Sequence, residues 1–566
     1  MIKSLLRIAL LAAVVVTVTS CDDILDESPD NRTEIDTPEK VRQLLTSGYP
    51  TSYPAVICEL SGDNFVDNNV VVTSTHKDPY YTFHEEAYAW EDIVDYSTST
   101  DDTPYAVWES YYGGIAVCNH AIAAIEEMCE ERGTTPTTDS DLAHSWGEAH
   151  VLRAYLHFML VNVFAEAWKD DDQSQYDTGI PYVTEPETTV SVDYGADIPS
   201  VKEVYDYIEA DLLEGIDLID DALYSVPAYH FNRNAANAFA ARFYLFKREY
   251  EKVITYADAA LGSNAASSLR SWININTNSL DSRLLDYNDE DETCNFLIQS
   301  TYSLFDRMLS ACRHAINDGN STYDVPSTKS IIFNGGGPNW SGYLPAFLSN
   351  LYRWSAGSEY GVFLFSIYEY FEYTDKIAGI GYVHIVYHPL TAEETLLCRA
   401  EAELYLGDTD SAISDLYTWS LSKDVGNSSY PISELTLTKI KNKYSGTADS
   451  NIYISDINPQ SMSSEFPTLS DDDLRVLYCI LHFRRIETVY EGLRWFDIKR
   501  YGINVHHAYR GAQDYDVTED DLLWNDPRRV LQIPNNVIQA GYPSTDRTSS
   551  SITVSGSLES SPLLVN

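Results

Sequence analysis

The chain has 566 residues, with 86 Asp+Glu against 37 Lys+Arg and a formal charge of −49. A length of this order holds either several domains or one large helical body with insertions, and in both cases a substantial core. The acidity argues against polyanionic partners, because nucleic-acid affinity rests on cations that neutralise phosphates and this surface repels them.

The first twenty residues, MIKSLLRIALLAAVVVTVTS, place Lys3 and Arg7 ahead of an apolar run that ends in small residues. This predicts a secretory signal over residues 1–20, too short and wrongly flanked for a transmembrane helix. The following Cys21 completes a VTSC box of the kind at which bacterial lipoproteins are cut and lipidated, so the mature chain is expected to be anchored by lipid. The other cysteines, Cys58, Cys118, Cys129, Cys294, Cys312, Cys398 and Cys479, are odd in number, widely spaced and never in a C-x-x-C pair. They predict neither a disulfide framework nor a zinc site, and most read as buried small hydrophobes.

From about Asp22 to Thr103 the sequence is polar and irregular, with scattered aromatic residues. Helices then dominate. Trp108, Tyr111, Ile115, Cys118, Ile122 and Ile125 recur at three- and four-residue steps, as do Val151, Tyr155, Phe158 and Asn162. After a Pro-broken loop at TGIPYVTEPE, a third stripe runs through Val204, Ile208, Leu212, Ile216, Ile219 and Leu223. Ala241 to Leu261 and Ala402 to Leu421 each read as helix, short polar turn and second helix begun with small residues, the pattern of tetratricopeptide-type hairpins. The stretch between them, about 263–389, is rich in loops and tyrosine; a long insertion of this kind is either functional or disordered, and its aromatic content argues against disorder.

Searches for catalytic patterns return little. His84-Glu85-Glu86-Ala87-Tyr88 lacks the second histidine of a zinc-protease helix, Gly335-Gly336-Gly337 lacks the Lys-Ser/Thr of a phosphate loop, and no nucleophile elbow is present. His144, His150 and His157 read as core or surface histidines rather than ligands. No catalytic residue, metal ligand or cofactor site is predicted. What remains is the aromatic richness of the loops: an exposed ring suits the C–H face of a sugar while neighbouring Asn, Asp and Arg bond its hydroxyls. The competing reading is that these rings cover the helical core.

Several spaced motifs, in order, resemble those of the SusD/RagB-type outer-membrane nutrient-binding lipoproteins of Bacteroidetes. Cys21-Asp22-Asp23-Ile24-Leu25-Asp26-Glu27-Ser28-Pro29 is similar to the family's lipidated start; Trp108, Tyr112, Ile115 and Asn119 to its W-x3-Y-x2-I-x3-N helix; Glu148-Ala149 through Arg153-Ala154-Tyr155 to its E-A-x3-R-A-Y helix. Gly179-Ile180-Pro181, Glu401-Ala402-Glu403 and Ile533-Pro534 follow in the expected order. The most specific match is Arg484-Arg485-x-Glu487 with Glu491-Gly492-x-Arg494-x-x-Asp497. Two stretches depart from the pattern: Phe164-Ala165-Glu166-Ala167-Trp168 stands where F-G-x-x-P is usual, and Thr391-Ala392-Glu393-Glu394 opens the helix that usually begins R-x-A-E.

The fold expected from the repeats and the resemblance is all-α: a tetratricopeptide-like superhelix in one domain over 21–566. Its helical scaffold is placed at about 108–262 and 390–510, and its loop-rich ligand-facing insertions at about 60–107 and 263–389. The Arg484–Gly502 stretch is read as a strut, with Ile486, Val489, Tyr490, Leu493 and Phe496 as its apolar stripe and with Arg484–Glu487, Glu491–Arg494 and Arg494–Asp497 pairing at i,i+3 spacing. The resemblance implies an oligosaccharide ligand, a SusC-like TonB-dependent transporter as partner, and the extracellular face of the outer membrane as location, without catalysis. It places Trp90 and Trp340 as the sugar platform, with Tyr88, Tyr343, Asp92 and Asn339 as edge contacts. A peptide-binding member of the same family, a surface glycosidase and a purely structural lipoprotein are the alternatives.

Overall fold

The computed structural model describes residues 35–67, 82–93, 102–186, 198–275, 279–306, 314–316, 353–356, 359–362, 367–424, 432–445, 456–510 and 517–547. Its centre is the helix Ala143–Phe164, in which every residue but the first is buried. Such a helix must be covered on all sides. Pro104–Arg132 packs along one side and Val201–Gly215 along another. The long Pro104–Arg132 helix is started by Pro104 and the Thr103 hydroxyl, which accepts from the Ala106 amide at 3.2 Å, and is stopped by Gly133 at φ 65°. Its predicted stripe from Trp108 to Ile125 is buried throughout. In the third stripe Val204, Ile208, Leu212, Ile216 and Ile219 are buried while Leu223 is exposed.

Two glycines set how closely the central helix and Val201–Gly215 approach. A methyl group added at Gly147 would sit 2.7 Å from the Gly215 carbonyl oxygen, and one added at Gly215 would overlap the Gly147 carbonyl oxygen. Gly215→Ala is therefore expected to force the helices apart and cost about 1–3 kcal/mol. An unchanged denaturation midpoint would show that the crossing has slack.

The two predicted hairpins are present: Arg233–Lys247 with Tyr250–Leu261, and Ala392–Tyr405 with Thr409–Ser422. Buried Ala235, Ala236, Ala238, Ala240 and Ala241 let the first pair close tightly, and the two hairpins stack through Tyr250–Leu261 against Ala392–Tyr405, where Tyr250 and Tyr405 lie ring on ring at 4.7 Å. The unusual opening of the Ala392–Tyr405 helix leaves the fold intact: Thr391 caps it, and Glu394 meets Arg242 and Arg484.

The expectation of an all-α chain is too narrow. The body is mostly helical, but the 263–389 insertion also contributes strands. Asn295–Thr301 (β1), Glu369–Asp375 (β2) and Ile380–Thr391 (β3) form an antiparallel sheet in the order β1-β3-β2. The reason is visible in β3, where IGYVHIVYHPLT alternates: Ile385 and Tyr387 point into the core, while His384 and Val386 face the other way. Val505–Arg510 and Val517–Leu522 form a further antiparallel pair.

The Arg484–Gly502 stretch is scaffold, though not as one continuous helix. Asp471–Glu487 ends, the chain turns through Tyr490 at φ 69° and Gly492 at φ 77°, and Leu493–Arg500 begins a new axis. The break redirects the charges, so the expected i,i+3 partners give way mostly to residues far off in the chain, with Arg500–Asp497 keeping i,i+3 spacing. Arg484 reaches Asp497 (3.1 Å) and Glu394 (3.3 Å), Arg500 reaches Glu401 and Asp497 (both 2.7 Å), and Arg485 and Arg494 both hold Asp63 (3.0 and 2.8 Å). Glu487 pairs with Lys423 and accepts from the Trp419 indole. The apolar stripe Ile486, Val489, Tyr490, Leu493 and Phe496 is buried as predicted.

Among the described residues the cysteines are buried and unpaired, and no helix is long and apolar enough to cross a membrane. Cys21 and Cys312 lie outside the described residues.

Candidate functional site

The residues predicted as the sugar platform and its edge contacts divide. Trp340, Tyr343 and Asn339 lie outside the described residues. Tyr88 and Trp90 are described, and they are core: 2 % and 1 % exposed. Tyr88 stacks on His314 at 4.4 Å and on His507 at 4.1 Å; His507 in turn stacks on Trp90 at 4.1 Å, making a four-ring pillar. The Trp90 indole donates to the Ser61 carbonyl oxygen at 2.9 Å, and Arg528 lies 5.6 Å from its ring centroid. Both His507 ring nitrogens lie 2.7 Å from carbonyl oxygens, those of Tyr88 and Gly62. A sugar has no face of these rings to occupy, so the reading of Trp90 as platform and of Tyr88 as edge contact is corrected to packing. The partner that buries them, His507, is more than four hundred residues away, and no local pattern points to it. Asp92 is at the surface, its side chain 62 % exposed and joined to Arg547 at 2.8 Å.

The three histidines His144, His150 and His157 are buried, as read. His150 meets Asp211 at 2.8 Å, and the His157 Nδ1 faces the Arg153 carbonyl oxygen.

The open space that sequence reasoning missed lies over the sheet. A cleft of about 810 Å³ is floored by β1, β2 and β3 and walled by the helix Leu280–Tyr287 with the loop after it, by the turn Pro227–Tyr229, and by Thr46 and Tyr49. This is the size of cleft that takes a small-molecule ligand. The register explains its floor: Tyr370 of β2 stands opposite His384 of β3, and Glu372 opposite Tyr382, so all four share one face. Tyr370 and His384 are stacked at 5.7 Å, Tyr382 lies 6.0 Å from His384, and Tyr302, just past β1, meets Tyr382 edge-on at 5.2 Å. An aromatic strip therefore runs from the cleft onto the exposed part of the hairpin, where Tyr302 and Tyr382 are 39 % and 37 % exposed.

Polar groups fix the rings. The Asn288 amide donates to the Tyr370 hydroxyl at 2.8 Å, the Tyr229 hydroxyl donates to Glu290 at 2.6 Å, and the Tyr382 hydroxyl donates to Glu372 at 2.8 Å. The hydrogen bond to Glu290, helped by burial, pushes the Tyr229 phenol up to about 12, and the bond to Glu372 raises Tyr382, so both remain neutral donors. Asn288 Oδ1 and His384 Nδ1 in the cleft wall have no hydrogen-bond partner among the described residues. The arrangement offers apolar ring faces beside amide and carboxylate groups.

Comparison with known proteins gives a consistent picture. Residues 23–245 match a SusD-like family model described as "Starch-binding associating with outer membrane". The SusD-like protein P38 of Formosa agariphila is 24% identical over 285 residues, which is 48% of this chain and 47% of that protein, so the match spans about half the relative's length. Solved structures are similar in fold over nearly the full length. A SusD superfamily protein from Bacteroides fragilis has a TM-score of 0.55 at 16% identity, covering 90% of this chain and 99% of the other. A putative sugar binding protein from Bacteroides vulgatus has 0.55 at 17%, covering 91% and 99%. A laminarin binding SusD-like protein has 0.51 at 15%, covering 90% and 99%.

Proposed function

We propose that this chain, a SusD-like protein, binds oligosaccharide at the cell surface and delivers it to a TonB-dependent outer-membrane transporter, without cleaving it. The observation that carries the reading is the cleft over the sheet, lined by Tyr49, Tyr229 and Tyr370, a preformed site with ring faces for sugar C–H groups and amide and carboxylate edges for hydroxyls. The family description as starch-binding and outer-membrane associated supports it, as does the laminarin-binding relative in fold. Lipidation at Cys21 fixes the protein to the outer membrane with its body outside. The later insertion adds Trp340, Tyr343 and Asn339 as further glycan contacts, and Asp92 is an exposed carboxylate at the rim of the Trp90 segment.

A glycan array followed by titration calorimetry on the full chain tests the reading. At least one oligosaccharide is expected to bind saturably, with no reducing ends released on prolonged incubation. Release of reducing ends would make the protein a glycosidase, and binding of peptides in place of sugars would move it to the peptide-binding branch of the family.

A further inference from the structure

The cleft over the sheet carries a statement about which glycan it takes. Charge is the first discriminator between classes of polysaccharide: plant and algal polymers divide into neutral chains and chains bearing a carboxylate or sulfate on most sugars. The charged residues that line the cleft are Asp289, Glu290 and Asp291, all on one wall, and no lysine or arginine lines it among the described residues. Glu372 extends the same sign along the aromatic strip, where it is tied to Tyr382. A built anion site does the opposite, presenting arginine forks or lysines to each charge. Here an anionic sugar would lie beside three exposed carboxylates, with no lysine or arginine among the described lining residues to meet it, a repulsive element that selects against it.

The attractive groups suit an uncharged chain. Tyr229 and Tyr370 present rings, Gln299 and Asn288 present amides, and Glu290 and Asp289 present acceptors for hydroxyl donors. The strip that leaves the cleft through His384 to Tyr382 and Tyr302 keeps neighbouring ring centroids 5–6 Å apart, so contact is made along a chain rather than at one sugar.

From this geometry we infer that the cleft and the strip from Tyr370 to Tyr302 form an extended site for an uncharged oligosaccharide, one that rejects uronate-rich and sulfated chains. The inference rests on the proposed glycan-binding function and deepens it. Its test uses the full chain in detergent with two sets of linear hexasaccharides: neutral β-1,3-glucan, α-1,4-glucan and β-1,4-mannan, against oligogalacturonate and oligoalginate. A neutral member is expected to bind and the anionic ones not. Raising salt from about 0.05 to about 0.5 M should leave the affinity within about twofold, since no ion pair forms. Tyr370→Ala and, at the exposed end, Tyr382→Ala should each weaken binding about tenfold. Because Tyr370 is partly buried, Tyr229→Ala, removing an exposed ring at the cleft mouth, serves as the variant least able to disturb folding. Binding of the anionic set alone would overturn the inference and leave the glycan-binding function standing. Neutral binding that none of the three variants weakens would place the ligand elsewhere and overturn it as well. Failure of every sugar here and on the glycan array, with or without peptide binding, would overturn both.

Discussion

Asp497→Ala is expected to cost about 3–5 kcal/mol of folding free energy, because it removes the carboxylate shared by two buried arginines and leaves each of them short of one counter-charge. The Asp497 carboxylate is fully buried and accepts from Arg484 Nε at 3.1 Å, Arg500 Nη2 at 2.7 Å and Arg500 Nε at 3.2 Å. Arg484 retains Glu394 and Arg500 retains Glu401, so the network is weakened at its centre rather than erased. Chemical denaturation should show the loss, while glycan affinity of the folded fraction stays unchanged. Full stability with lost binding would move this region into the ligand site.

Acidification gives an independent arm. Burial alone would raise the Asp497 carboxyl, but the Arg484 and Arg500 guanidiniums more than reverse it and hold it below the ordinary carboxylate range. Asp63, between Arg485 and Arg494, is held down in the same way. A carboxyl with a depressed folded pKa stabilises above its unfolded value of about 4, and that stabilisation is lost as pH falls through the folded value. Glu59 acts with the opposite sign: burial raises it to about 7, so its contribution is greatest when protonated and is lost as pH rises through that value. The difference between wild type and Asp497→Ala isolates one group from this mixture, and it should shrink below about pH 4. A gap that stays constant at acid pH would mean that Asp497 is not the charge that matters.

Helix positions were readable in the sequence because they follow from periodicity within one segment. The stripes from Trp108 to Ile125 and from Val204 to Ile219, and the small residues of the two hairpins, are local signals that survive folding. The Arg484–Gly502 stretch was half readable. Its apolar stripe named the buried residues, but pairing charges at i,i+3 assumed one continuous axis, and the left-handed turn at Tyr490 and Gly492 breaks that axis. The partners chosen instead, Asp63 and Glu394, come from other elements that only the fold brings near. The cleft was illegible for the same reason: its floor joins β1 to a hairpin more than sixty residues later, and its walls come from three further segments. Alternation in β3 announces a strand, yet nothing in it says which face stays open.

Trp90→Ala is expected to destabilise the protein by about 3–5 kcal/mol, the range for a large buried ring truncated in a packed core. This reverses the outcome that an exposed platform ring would give, for which melting temperature barely moves and affinity falls. The ring is 1 % exposed and stacked on His507, its indole N–H is bonded to the Ser61 carbonyl oxygen, and Arg528 covers it. Truncation removes the end of the four-ring pillar, so Tyr88 and His507 lose the support that holds them at 4.1 Å from each other. The backbone gives no relief, since Trp90 sits at φ 53° and alanine has the same Cβ in that conformation; Trp90→Gly would recover part of the strain while losing the same ring. Melting temperature and glycan affinity measured on the same variant separate the two roles. A clear fall in melting temperature with unchanged affinity in the folded fraction places Trp90 in the core. An unmoved melting temperature with affinity lost would restore it to the sugar platform, and would require the His507 pillar to open when ligand binds.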